Sequence, residues 1–159
     1  MKKIAYVVNH LSFFESHILP LALESRNKGY KIKVFCFKGG SKKMERIATK
    51  NIRKNKINFS RFNSLPNNLN FFSEIINISK LIIEIKKFNP DIVHSITLKA
   101  ITASLIAHFF LNIKNHICFI TGMGFFFVQK LTFYQKFIKF FLFKILNLIS
   151  KRRNIKIII

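Results

Sequence analysis

The amino-acid sequence predicts an α/β domain in which a parallel sheet is covered by helices on both faces. Three observations carry that expectation. Short β-branched runs alternate with stretches whose apolar residues recur every three or four positions. Turn and breaker residues, Gly29, Gly39-Gly40-Ser41, Pro66-Asn67-Asn68 and Asn89-Pro90, punctuate that alternation. The chain has 159 residues, 50% of them apolar and 20 of them Phe. Such a chain fits one domain and can bury roughly 70% of the surface its unfolded form exposes. Only 5 Gly and 3 Pro are present, which excludes disordered, collagen-like and linker classes.

Residues 3–8 (KIAYVV) have no helical spacing and suit a strand buried on both faces. Residues 14–28 place Phe14, Ile18, Leu21, Ala22 and Leu23 at helical intervals, and Gly29 stands where a left-handed cap is expected. YKIKVFCF (30–37) alternates as a strand, and a polar helix is expected over 42–54 before a short strand over 56–62. Residues 69–88 carry the clearest helical period, ended by Asn89-Pro90. A strand follows at 91–96, a helix at 98–111 and a strand at 116–121, ending in Gly122-Met123-Gly124. Residues 131–149 read as a helix with lysines among Phe, Leu and Ile, suited either to an interfacial membrane position or to packing against further protein. The final NIKIII reads as another buried strand, so the chain is expected to be cut within a longer protein.

Charge narrows the function classes. With 28 Lys and Arg against 6 acidic residues, the net charge is +22. Contact with a polyanion would follow from that excess, as would a base-biased genome rich in Lys, Asn, Ile and Phe codons; both readings stand. No two of Glu15, Glu24, Glu45, Glu74, Glu84 and Asp91 lie closer than seven positions, so no DxD-type metal site or local carboxylate pair is expected. Cys36 and Cys118 sit in apolar runs and read as buried thiols of a reducing compartment, not zinc ligands. The apolar stretch 4–8 is too short for a signal-peptide core, and Lys136, Lys139 and Lys144 interrupt the longest membrane-span candidate, so neither an export signal nor a spanning helix is expected.

In an open parallel sheet the ligand crevice lies beyond the carboxyl ends of the strands. The residues there are Asn9, His10 and Ser12; Gly39 and Gly40; His94, Ser95, Thr97 and Lys99; and Thr121, Gly122 and Gly124. His10, in the first loop, is best placed to bind a phosphate or move a proton. His94 within its strand is either a core residue or a site residue, and so is His17 on the first helix; His108 and His116 read as surface or packing residues. Gly122 and Gly124 allow either a tight turn or close approach to a ligand. The first loop, NHLSFF, lacks the glycines of a dinucleotide fingerprint, which argues against NAD, FAD and P-loop nucleotides.

Three segments together resemble a known family. YVVNHLSFFESHILPLALESRNKGYKIKVFCF resembles the opening strand, loop and helix of bacterial family-4-like glycosyltransferases; FNPDIVHSITLKA and ITGMGFFF resemble two later segments, in the same order. Ile18 stands where that family usually has Arg, and Ala100 where it often has Pro. The resemblance implies a Rossmann-like sheet, one half of a GT-B fold, with residues 1–159 as the amino-terminal, acceptor-side domain and the nucleotide-sugar-binding domain lying outside them. It implies hexosyl or N-acetylhexosaminyl transfer from a nucleotide sugar to a lipid-linked or cell-surface glycan in polysaccharide biosynthesis, at the inner face of the plasma membrane on an anionic surface. The fragment alone would be inactive. Asn9, His10, His17, His94, Thr97, Lys99, Thr121, Gly122 and Gly124 would contact substrate, with His10, His17 and His94 the candidates for a catalytic role and no metal or cofactor needed. Two alternatives remain: a membrane-recruiting subunit of a two-chain glycosyltransferase, and a basic nucleic-acid-binding module. The second is disfavoured because the aromatics lie in apolar runs and not among the lysines.

Overall fold

The computed structural model describes residues 1–63, 71–111, 113–121, 144, 147 and 154–158. In chain order these form β1 (Lys3–Val8), α1 (Leu11–Phe13), a π-helical turn (Phe14–Ile18), α2 (Leu19–Asn27), β2 (Lys31–Phe37), α3 (Lys42–Lys54), β3 (Asn58–Phe62), α4 (Phe71–Phe88), β4 (Ile92–Ile96), α5 (Leu98–Leu111), β5 (Asn115–Phe119) and β6 (Ile155–Ile158). The strands make one six-stranded sheet in the order β3-β2-β1-β4-β5-β6, with every pairing parallel. This is the Rossmann-like sheet that the alternation predicts. Gly29 adopts φ +84, the left-handed cap expected after the first helix.

Alternate residues of the central strands serve opposite faces. Ile4, Tyr6 and Val8 join Ile32, Val34 and Cys36 beneath Leu11, Phe14, Ile18 and Ala22, with Ala48 and Ile52 of α3 completing that layer. Ala5 and Val7 join Phe35 and Phe37 beneath Leu81 and Ile85 of α4 and Ala100, Ala103 and Ala107 of α5. The three alanines carry one methyl each, so α5 can lie close against the sheet.

The first helical segment begins at Leu11, three residues before the spacing of Phe14 and Ile18 suggests, and it is interrupted by the π-turn. Leu11 is fully buried, and Phe14 packs edge-on to Tyr6 at 5.5 Å. Burial of Leu11 therefore starts the helix inside a stretch, NHLS, that local polarity assigns to a loop. Both cysteines are free and buried as expected, and burial pushes each thiol up to about 11. Among the described residues no helix is long and apolar enough to cross a membrane.

The strand order reverses between β1 and β4: from β1 the sheet grows to β2 and β3 on one side, while β4, β5 and β6 extend the other. Loops leaving the carboxyl ends of β1 and β4 consequently diverge, the position at which open parallel sheets place a ligand crevice.

Candidate functional site

The β1 side of the crevice is built by tying its loop to neighbouring elements. Asn9 follows β1 directly, and its carbonyl accepts a hydrogen bond from the Phe37 N–H at the end of β2 (3.0 Å). His10 is extended (φ −134, ψ 148) and stands at the N-cap position of α1. Its ring lies on the Gly39-Gly40 loop so closely that a Cβ on Gly39 would sit 2.4 Å from His10 Cε1 and 2.9 Å from Nδ1. A side chain at 39 would displace the imidazole. The first helical turn is held by Glu45 of α3, whose Oε1 accepts the Ser12 N–H at 2.8 Å while Oε2 pairs with Arg61 Nη2 at 3.2 Å. A carboxylate on the first free N–H groups of a helix is favourable both as a hydrogen bond and against the helix dipole. Glu45 lies 33 residues from Ser12. No spacing in the sequence marks that pairing.

On the β4 side, His94 is flanked by the Tyr6 ring at 5.4 Å and the Phe119 ring at 6.4 Å. This burial lowers its pKa from 6.5 to about 4, so the imidazole is neutral at neutral pH. Thr97 leads into α5 with φ +77, a left-handed conformation that a β-branched residue rarely adopts. Its N–H reaches the Phe119 carbonyl at 3.3 Å, and its carbonyl accepts from Ile101 N–H at 2.9 Å. Strain of this kind is on the order of 1–3 kcal/mol and persists where the surroundings over-determine it, as at ligand sites. Lys99, in the first turn of α5, places Nζ 5.4 Å from the Phe37 ring centre. The end of β2 thus touches both walls, through the Asn9 carbonyl and through Lys99.

Four side-chain atoms here are enclosed and have no hydrogen-bond partner: Asn9 Oδ1, His10 Nδ1, His94 Nε2 and Thr97 Oγ1. Buried polar groups are nearly always bonded, so four on the two loops of one switch point call for a ligand. The set is hydroxyl, amide and imidazole with a lysine alongside, suited to sugar hydroxyls and phosphate oxygens. Among the described residues no group of three His, Cys, Asp or Glu could hold a metal ion.

The other candidates stand apart. His17 lies on the π-turn, exposed, its ring stacked on Phe13 at 4.6 Å and its Nδ1 2.6 Å from Ser16 Oγ. It makes no contact with His10 or His94. Thr121 follows β5, one strand further from the switch point, and is half-buried. Gly122, Gly124 and, apart from residues 144 and 147, which are helical, the expected helix over 131–149 lie outside the described residues. His108 and His116 are both buried, as packing residues.

A family profile described as "Glycosyl transferase 4-like" matches residues 3–152. No curated protein matches the chain. Among solved structures, a glycosyltransferase from Rickettsia africae superimposes with TM-score 0.60 at 18% identity, covering 99% of this chain and 42% of that one. MurG from Acinetobacter baumannii gives 0.57 at 11%, covering 76% and 35%. The hydratase GalB from Pseudomonas putida also shares the sheet, at TM-score 0.55 and 16% identity over 69% of this chain and 56% of that one, so these likenesses speak for the fold alone. The chain spans well under two thirds of each of these proteins. The profile runs through β1, both crevice loops and five of the six strands, and on that match the chain belongs to the glycosyl transferase 4-like family.

Proposed function

We propose that this chain is the acceptor-side half of a GT-B glycosyltransferase, transferring a hexosyl or N-acetylhexosaminyl group from a nucleotide sugar to a lipid-linked or cell-surface glycan in polysaccharide biosynthesis. A second Rossmann-like domain, outside these 159 residues, would hold the donor. The observation that carries this reading is the quartet of unpartnered atoms at the β1–β4 switch point. Asn9, Thr97 and Lys99 would fix acceptor hydroxyls and the leaving diphosphate, and Thr121, Gly122 and Gly124 would extend the same rim. His94, held neutral, serves as a fixed hydrogen-bonding group, because a base titrating near 4 is poorly matched to neutral pH. His10 is the residue we place nearest the acceptor hydroxyl. His17, turned onto Phe13, would meet only substrate that reaches beyond the loop. The domain would work at the cytoplasmic face of the plasma membrane, where a lipid-linked acceptor is presented. Transfer then rests on positioning and fixed donors, which needs no acidic metal site.

The test is transfer from a panel of nucleotide sugars to lipid-linked acceptor. Residues 1–159 alone should bind acceptor and turn over no donor. The intact enzyme should lose about a hundredfold in kcat/KM on His10→Ala. Ordinary turnover by residues 1–159 alone would overturn the division of labour, and full activity of the His10 variant would overturn the site.

A further inference from the structure

The part of the chain that grips the His10 loop is contiguous. Gly39 lies against the imidazole, and a Cβ on Gly40 would meet Ser12 Oγ at 3.8 Å. Ser41 then caps α3, and Glu45 in the first turn of that helix accepts the Ser12 N–H at 2.8 Å. Residues 39–45 therefore fix residues 10–12 at both ends. Behind Glu45, Arg61 of β3 closes on Oε2 at 3.2 Å and is itself held by donating to Thr49 Oγ1 at 2.9 Å. Further along α3, Asn51 Nδ2 donates to Glu15 Oε1 at 2.8 Å, which ties the π-turn to the same helix.

The bond at Ser12 takes over a task that usually falls to the residue before the helix. An N-cap side chain accepts the N–H of the second or third helical residue, and Ser, Thr, Asp and Asn are the residues suited to it. His10 holds the N-cap position of α1 and makes no such bond; Ser12, the second helical residue, is served by Glu45 instead. The imidazole is thereby released from capping, and its Nδ1 is left without a partner. Among the described ion pairs Glu45 is the most enclosed acid, its side chain 12% exposed. An enclosed charge is often no more stabilising than an apolar side chain of similar volume, so stability by itself does not ask for a carboxylate here. Capping the turn from outside, with the N-cap ring left free, does.

We propose that Glu45 is a positioning residue for the transfer reaction: it caps the first helical turn in place of His10, and so sets the imidazole, braced on Gly39, where it meets the acceptor hydroxyl. The inference deepens the proposed crevice site and rests on it. Glu45 touches no substrate and acts only through His10, while Arg61 keeps the carboxylate turned toward Ser12. Misplacing a reacting group by 1 Å can cost about a hundredfold in rate, so the reach of one carboxylate oxygen is enough to matter. The role lies in that reach and not in the charge, and two substitutions separate them. In Glu45→Gln an amide oxygen still reaches the Ser12 N–H and the charge is gone. In Glu45→Asp the charge stays and the oxygen is withdrawn by one methylene, about 1.5 Å.

The experiment measures kcat and acceptor KM of the intact enzyme, per folded molecule, for both variants alone and combined with His10→Ala. Glu45→Asp should lower kcat about thirtyfold and leave KM within about twofold, because Asn9, Thr97 and Lys99 still hold the acceptor. Glu45→Gln should stay within about threefold of wild type in kcat, although loss of the Arg61 pair lowers its Tm. On a His10→Ala background Glu45→Asp should remove less than about a further twofold, since the group it misplaces is gone. The same contrast should appear without substrate: the His10 ring resonances, assigned by their loss in His10→Ala, should move in Glu45→Asp and hold in Glu45→Gln. Wild-type kcat or an unmoved ring in Glu45→Asp would overturn the positioning role. A Glu45→Gln variant as slow as Glu45→Asp would refute reach as the cause, and equal losses with and without His10 would mean that Glu45 acts elsewhere. In each of these cases a hundredfold loss in His10→Ala leaves the crevice site standing, whereas full activity of His10→Ala removes both.

Discussion

Two histidine-bearing regions lie on opposite faces of β4, and they handle the same chemistry in opposite ways. On the α5 face, His116 Nε2 meets Ser95 Oγ at 2.9 Å and Ser104 Oγ at 3.2 Å, leaving only its Nδ1 unbonded. The His108 ring stands 5.4 Å away, with Asn154 Nδ2 at 3.4 Å from His108 Nε2 and 3.0 Å from the Ile113 carbonyl. These groups come from β4, α5, β5 and the start of β6, so their bonds stitch four elements together. In the crevice, Asn9, His10, His94 and Thr97 each leave an atom unspent. Burial depresses His94 to about 4 and His116 to about 3, so titration alone does not separate the regions. What separates them is that His116 Nε2 and His108 Nε2 meet polar groups of other elements, while Asn9 Oδ1, His10 Nδ1, His94 Nε2 and Thr97 Oγ1 meet none. A polar group bonded within the core specifies packing, whereas an unbonded one beside a cleft is available to a ligand.

The sharpest way to break this contrast is a crossed pair of substitutions. His10→Ala should lower kcat/KM of the intact enzyme about a hundredfold while moving Tm by no more than about 2 °C. His116→Ala, which opens a cavity and strips two serine hydroxyls of their partner, should cost about 2–4 kcal/mol and lower Tm by roughly 5–15 °C. In the folded fraction its kcat/KM should stay within about twofold. If the two variants exchange phenotypes under calorimetry and steady-state assay, the assignment of regions is inverted.

A smaller effect isolates how the loop is held. Gly39→Ala pushes a methyl into the imidazole of His10 and should reduce kcat/KM about tenfold. Combined with His10→Ala it should add almost nothing, because the clash has lost its target. Additive losses in that double-mutant cycle would mean that Gly39 acts elsewhere.

Acid should unfold the domain through both regions. Each histidine titrates lower when folded than its ordinary 6.5, so below pH 6.5 the unfolded chain takes up protons that the folded chain refuses. Stability therefore falls as pH drops from about 6.5 toward 4, by about 1 kcal/mol per unit for each histidine. Urea midpoints across that range measure it. His116→Gln should flatten the slope by about half, and an unchanged slope would count against its buried neutrality.

The smallest expected effect carries the opposite sign. Thr97→Gly relieves a positive φ and should raise stability by about 0.5–1 kcal/mol in urea unfolding, while weakening acceptor binding through loss of Oγ1. Unchanged acceptor affinity would mean that the strained residue has no part in the site.

Strand and helix existence was readable in the chain because burial on two faces leaves an unmistakable local period. Residues 3–8, 42–54 and 98–111 were expected at the ends observed. The rim residues could be read for the same reason: once strands are located, their carboxyl ends are located too, and Asn9, His10, His94 and Thr97 fall there. Other features carry no local mark. The π-turn and the early helix start at Leu11 depend on a contact with the core, and Glu45 reaches the His10 loop from another helix. Which histidines would be satisfied was equally invisible, since His94 and His116 sit in similar β-branched strands and differ only in the face they take and the hydroxyls waiting on it. Periodicity is a property of neighbours along the backbone and survives in one dimension. Satisfaction of a polar atom depends on groups tens of residues away, and it exists only once the sheet has brought them within hydrogen-bonding reach.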